Sequence, residues 1–154
     1  MNPVSRRAAL GLLLGALAAC GRKPKEATRT DLNPGETPEL RRQIERYAAQ
    51  YDVPVELVHR VVKRESGYNA KARNGRYFGL MQIDPRTAFT MGYRGRDEGL
   101  LNADTNLKYG VKYLRGAWLV SDGNQDKAIS WYSQGYYYEA KRRGLLVETG
   151  LRSA

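Results

Sequence analysis

Residues Val61 to Ile83 read VVKRESGYNAKARNGRYFGLMQI. Glu65 follows Val61 by four positions and Val62 by three, so a helix places it on the stripe those residues bury. Glu56, Lys63 and Arg64 fall away from that stripe, where charges stay solvated. Removing an ionised carboxylate from water is costly, and its usual response is a raised pKa. A carboxylic acid still protonated near neutral pH can give its proton to a leaving oxygen, the step that glycosidic bond cleavage requires. A Glu at this place is more often a half-solvated residue in a fraying last turn. Position alone leaves both readings open.

The chain turns directly after Glu65, since SGYNAKARNGRY is rich in Gly and Asn. It then gives FGLMQI, an apolar run whose single polar member is Gln82. A buried Gln needs hydrogen-bond partners, which backbone or an amide-bearing ligand can supply. His59 is the only histidine and Cys20 the only cysteine. An internal disulfide, a cysteine metal site and a multi-histidine metal site are therefore excluded. No metal and no cofactor is expected.

The elements that must position Glu65 and Gln82 are helical. Thr37 suits an N-cap with Pro38 at the first helical position, followed by Leu40, Ile44, Tyr47, Ala48 and Tyr51 at helical spacing. A second helix starts near Asp52 or Val53 with Pro54 in its first turn, and its stripe is Leu57, Val58, Val61 and Val62. Asp84-Pro85 reads as the start of a short helix ending before Gly92. Leu107, Val111, Leu114, Ala117 and Trp118 mark a longer helix over about 102–120. Asn124 caps another through Ala128, Ile129 and Tyr132, and YYYEAKRRG gives a last one stopped by Gly144. Alternating strand patterns are almost absent. The fold expected is mainly α, one domain over residues 37–150, with 151–154 a tail.

The N-terminus points elsewhere. MNPVSRRAALGLLLGALAAC has a basic start and an uncharged run over residues 8–19. As a helix that run reaches only about 18 Å, short of a hydrocarbon core of about 30 Å. Residues 1–19 therefore read as a signal peptide. LAAC resembles the lipobox of bacterial lipoproteins, in which Cys20 is lipidated, and SRRAAL resembles a twin-arginine export signal. Residues 20–36 then form the lipidated Cys20 and a polar, Pro-punctuated flexible linker, reaching on the order of 22 Å as coil. The location expected is outside the cytoplasm, on the periplasmic face, anchored in the outer membrane of a Gram-negative bacterium. The net charge of +10 favours an anionic partner without choosing one. Scattered basic residues, no reading motif and the export signal argue against nucleic acid.

The stretch ESGYNAKARNGRYFGLMQI closely resembles the signature of soluble-lytic-transglycosylase-like domains, a lysozyme-like superfamily. NADTNLKYGVKYL is similar to that family's P-x-x-N-I-x-x-G-x-x-Y-L segment, and AISWYSQG to its A-x-x-x-Y-N-x-G element. The three occur in the family's order and span most of the globular part. The resemblance implies a lysozyme-like helical domain with a substrate cleft that acts as a peptidoglycan lytic transglycosylase. It implies Glu65 as sole catalytic acid/base, cleaving between N-acetylmuramic acid and N-acetylglucosamine to leave 1,6-anhydro ends. It further implies Ser66, Asn74, Met81, Gln82 and Tyr132 as substrate-site residues. In that scheme Met81 and Gln82 line the cleft, Gln82 contacts a sugar acetamido group, and the Tyr132 hydroxyl hydrogen-bonds Glu65. The partners implied are peptidoglycan glycan strands and, through Cys20, a membrane; a monomer is expected.

Four positions depart from the family pattern. Ala70 replaces the Pro that commonly follows Asn69, Asn74 stands where a cleft Ser is frequent, and Ser133 replaces an Asn. The spacing from Glu65 to Gln82 is one residue short. Tyr77, Tyr136, Tyr137 and Tyr138 are candidates for packing against sugar rings. Two rival readings carry different consequences. A hydrolytic muramidase would need a second carboxylate, with Asp84, Asp97 and Glu98 as candidates. A non-catalytic wall-binding lipoprotein would not need Glu65 at all.

Overall fold

The computed structural model describes residues 31–153. The expected signal peptide, Cys20 and most of the expected linker lie outside the described residues. Six α-helices follow in order: α1 (Pro38–Gln50), α2 (Val55–Ser66), α3 (Pro85–Thr90), α4 (Ala103–Leu119), α5 (Gln125–Gln134) and α6 (Tyr137–Arg143). Between α2 and α3 lies a hairpin of two-residue strands, β1 (Arg73–Asn74) and β2 (Tyr77–Phe78), paired antiparallel as Arg73 with Phe78 and Asn74 with Tyr77. A 3-10 turn (Asp97–Leu101) precedes α4.

Side-chain caps fix four helix starts. Thr37 accepts from Leu40 N, Asp84 from Arg86 N, Asn102 from Thr105 N and Asn124 from Lys127 N. Each satisfies an amide that the first turn leaves without a partner. Gly67 and Gly144 end α2 and α6 in the left-handed conformation. The hairpin and the 3-10 turn are not foreseen by the apolar periodicity, because two-residue strands carry no alternation to read.

The central α4 packs against α1, α3, α5 and the 3-10 turn. Its Leu107, Val111, Leu114 and Ala117 share one buried core with Leu40 and Ile44 of α1 and the Leu57, Val58, Val61 and Val62 stripe of α2. A smaller cluster of Phe78, Ile83, Ala88 and Leu100 lies under the hairpin. Gly110 of α4 admits Met81, whose sulfur would stand 2.6 Å from any added Cβ.

The folded body exceeds the 37–150 boundaries at both ends. Leu151 packs on the main core and Arg152 N donates to Leu146 O. Before α1, the Glu36 carboxylate is buried and takes two hydrogen bonds from Arg41 at 2.7 Å and two from Asn33. The last residues of the expected linker are thus held against the domain. The clamp reaches the end of α2: Gly35 lies so close that a Cβ there would come 2.6 Å from Gly67 O. Beside it Tyr68 shares a 3.0 Å hydrogen bond with His59 Nδ1.

Candidate active site

The last turn of α2, the hairpin, the loop Gly79–Gln82 and the last turn of α5 surround a groove of about 610 Å³. Its wall includes Glu65, Ser66, Asn74, Gln82 and Tyr132 and the sugar-packing candidate Tyr77, which the sequence predicts, together with Arg64, Arg73 and Ser133. Glu65 is the only carboxylate among the described residues lining it. Its side chain keeps 23% of its exposure. Burial raises the Glu65 pKa above the ordinary carboxylate value, opposed by the Arg64 guanidinium, whose Nε stands 3.7 Å from Oε1. A larger fraction of the group therefore keeps its proton at a given pH than in a solvated Glu.

The loop opposite Glu65 is built with little freedom. Phe78 and Ile83 exchange backbone hydrogen bonds, closing Gly79–Gln82 into a tight turn. Gly79 has φ +72, and a Cβ there would sit 2.3 Å from Asn106 Nδ2 and 2.5 Å from Leu100 O. Gln82 also adopts positive φ, +45, which a non-glycine residue rarely does and which recurs at functional sites. Its Nε2 donates to Gly79 O at 2.8 Å and Ala72 O at 3.2 Å. Both amide hydrogens are thereby used, leaving Oε1 as an acceptor for a ligand N–H.

Ser66 Oγ donates to Leu80 O at 2.7 Å, tying the end of α2 to this loop. Ser66 thus acts on the wall by positioning it. Asn74 lies exposed on β1 at the groove's edge. Tyr77 lines the groove, Tyr136 is buried with its hydroxyl on Tyr113 O, and Tyr137 and Tyr138 project outside it.

Two expectations are corrected by the geometry. The Met81 side chain is 0% exposed in the main core, against α4, so it does not line the cleft. Met81 and Gln82 are neighbours in the chain, and with Gln82 on the groove Met81 turns the other way, onto Gly110. Its backbone instead carries the structural role, because Met81 O accepts from the Tyr132 hydroxyl at 2.8 Å. Tyr132 gives its single proton there rather than to Glu65. Burial, together with the nearby Glu65 charge, raises the Tyr132 pKa well above the usual value, so it stays a phenol.

Besides Arg64 and Arg73 of the wall, one residue beneath it is not singled out by the sequence. Asn106 of α4 is 0% exposed, accepts from Met81 N at 2.9 Å, and donates to Phe78 O at 2.7 Å and Leu100 O at 2.8 Å. It holds the Gly79–Gln82 loop from below with every polar atom used. A polar residue beside Leu107 on an otherwise apolar helix face was the available signal.

The carboxylates weighed as a second acid are placed elsewhere. Asp84 caps α3, accepting from Arg86 N at 2.8 Å, and pairs with Arg76 and Arg86. Asp97 and Glu98 open the 3-10 turn and do not line the groove. A helical body thus presents one half-buried carboxyl across a groove from a fixed Gln. The family model of the transglycosylase SLT domain matches residues 42–144, which include every wall residue named above. The chain belongs to that family, as a single lysozyme-like helical domain of transglycosylase type that acts on peptidoglycan.

Proposed function

We propose that the protein is a lytic transglycosylase that cleaves the β-1,4 bond between N-acetylmuramic acid and N-acetylglucosamine without consuming water. The observation that carries this reading is the solitary half-buried Glu65 in the groove. Protonated Glu65 gives its proton to the glycosidic oxygen as the bond to the muramyl anomeric carbon breaks. The resulting carboxylate then takes the proton of the muramyl 6-hydroxyl, whose oxygen bonds to that anomeric carbon. One carboxyl serves both transfers and returns to its starting state. The nucleophile belongs to the substrate, so its effective concentration is high and no second carboxylate is needed to activate it. Hydrolysis by a carboxyl pair would call for a partner at about 5–5.5 Å or about 6.5–9.5 Å. No second carboxylate is among the described residues lining this groove.

Gln82 Oε1 is suited to accept the N–H of an acetamido group, since its own Nε2 is committed to backbone. Tyr77, half-exposed on the wall, offers a ring face to a sugar. The leader and the LAAC motif extend the proposal to an exported monomer tethered by lipid on Cys20, at the periplasmic face of the outer membrane. The substitution Glu65→Gln tests the assignment. Release of soluble fragments from purified sacculi should fall by about 10³-fold or more, with the far-UV spectrum and sacculus binding retained. Equal release by the wild type and Glu65→Gln would remove Glu65 from the chemistry, and sacculi bound but left intact by both would leave a wall-binding protein and remove the enzyme reading.

A further inference from the structure

A second groove of about 460 Å³ runs on from the first between α2 and α5. The two share Arg64 and Ser133, so they meet beside Glu65. The cations at this junction differ in their commitments. Arg60, on the second groove, is held by Asp126 at 2.5 Å and Gln125 at 3.1 Å. Among the described residues the Arg64 side chain makes no hydrogen bond; its ion-pair partner is Glu65 Oε1 at 3.7 Å, beyond hydrogen-bond length. Half of its side chain is exposed. The Arg73 side chain also has no hydrogen-bond partner among the described residues, but it lines only the first groove and stacks over Phe78 at 4.5 Å.

We infer that Arg64 is a carboxylate receptor at the junction of the two grooves, and that it reads the acidic branch carried by the glycan. This rests on the glycan-cleaving reading above. The 3-O-lactyl branch of a muramic acid ends in a carboxyl, which is free on peptide-free strands. Where a short peptide is attached, the carboxylates are the peptide's own. A sugar seated against Glu65 projects that branch from the first groove, and the second groove is the space that receives it. A guanidinium presents a planar fork of N–H donors that matches a carboxylate in two parallel hydrogen bonds. Binding the branch exchanges the 3.7 Å pair with Glu65 for a closer one. The cation that opposes protonation of Glu65 is thereby drawn off when an acidic substrate arrives.

The test uses the full chain and two pairs of glycan oligomers. One pair is peptide-free, with the lactyl carboxylate free or converted to its methyl amide. The other bears a short acidic peptide with its carboxylates free or fully amidated. kcat/KM for anhydro-ended product is measured on all four with wild type, Arg64→Gln, Arg73→Gln and the distant Arg42→Gln. The wild type should favour the free carboxylate by about tenfold in one pair, and that pair identifies the source of the carboxylate. In Arg64→Gln the ratio should fall to near one whatever the absolute rate, while Arg73→Gln and Arg42→Gln keep it. A wild-type ratio near one in both pairs overturns the inference. So does a ratio that survives Arg64→Gln or is lost equally in Arg73→Gln. Absence of anhydro product on every substrate would instead remove the underlying functional reading and this inference with it.

Discussion

The Tyr132 hydroxyl donates to the Met81 carbonyl oxygen across 2.8 Å, joining α5 to the loop that carries Gln82. The tyrosine therefore acts on the groove through the loop rather than by giving Glu65 a proton. Tyr132→Phe leaves a buried carbonyl without its donor, a loss of about 1–2 kcal/mol in stability. Activity should fall by only about tenfold, far less than for Glu65→Gln. Urea denaturation and kcat/KM on the same preparation separate the two effects; a loss as large as that of Glu65→Gln would return Tyr132 to the chemistry.

Asn106 offers a stronger lever on the same loop. Removing its amide strands Met81 N, Phe78 O and Leu100 O together. Asn106→Ala should cost about 3 kcal/mol, toward the upper end of single substitutions. Asn106→Asp keeps the acceptor for Met81 N and loses both donors, so it should also destabilise. Thermal unfolding with each variant checks this, and a change within about 0.5 kcal/mol for Asn106→Ala would contradict the role assigned to it.

Glu36 makes stability depend on acid. Burial alone raises its carboxyl, but the hydrogen bonds from Arg41 and Asn33 outweigh burial and hold it at about 2, below the usual 4.5. A carboxyl lowered on folding binds protons more readily in the unfolded chain. Its stabilisation is therefore complete above about 4.5 and is lost as pH falls from there toward 2. The contribution is on the order of 2–3 kcal/mol. Denaturation midpoints between pH 5 and pH 2 should drop steeply in the wild type and less steeply in Glu36→Gln. Parallel slopes would show that the clamp is not the acid-labile element.

Glu65 predicts the reverse direction for catalysis. Its raised pKa keeps the proton-donating form populated to higher pH than a free Glu allows. The alkaline limb of kcat/KM should therefore lie above the ordinary carboxylate range and move further up in Arg64→Gln, because the opposing cation is gone. A pH–rate profile measures both; a limb at the value of a solvated Glu, unmoved in the variant, would contradict the account.

Helix starts were legible because a cap is a local event: Thr37, Asp84 and Asn124 each bond an amide two or three residues ahead. Glu65 was legible for a similar reason, since the Val61 and Val62 stripe fixes its face before any tertiary contact is known. The Tyr132 partner was not, since a hydroxyl on one helix reached a carbonyl 51 positions away, and the chain between them decides which acceptor it meets. Met81 was misplaced because an apolar side chain beside a groove residue is placed by a tertiary contact, the space left at Gly110 of α4, that the local sequence does not show. Glu36 lay in a stretch whose composition reads as linker. It is ordered by Arg41, five residues on, and the surface that covers it, His59 of α2 beside its carboxylate and Gly67 against the neighbouring Gly35, exists only once α2 has folded.

The origin of the oxygen at the new chain end tests the central claim most directly. Sacculi digested in water enriched in heavy oxygen would be separated and weighed by mass spectrometry. Intramolecular attack by the 6-hydroxyl predicts anhydro-muramyl ends, lighter than reducing ends by one water and free of solvent label. Reducing ends carrying one heavy oxygen would show that water is the nucleophile and would contradict the single-carboxyl transglycosylase mechanism.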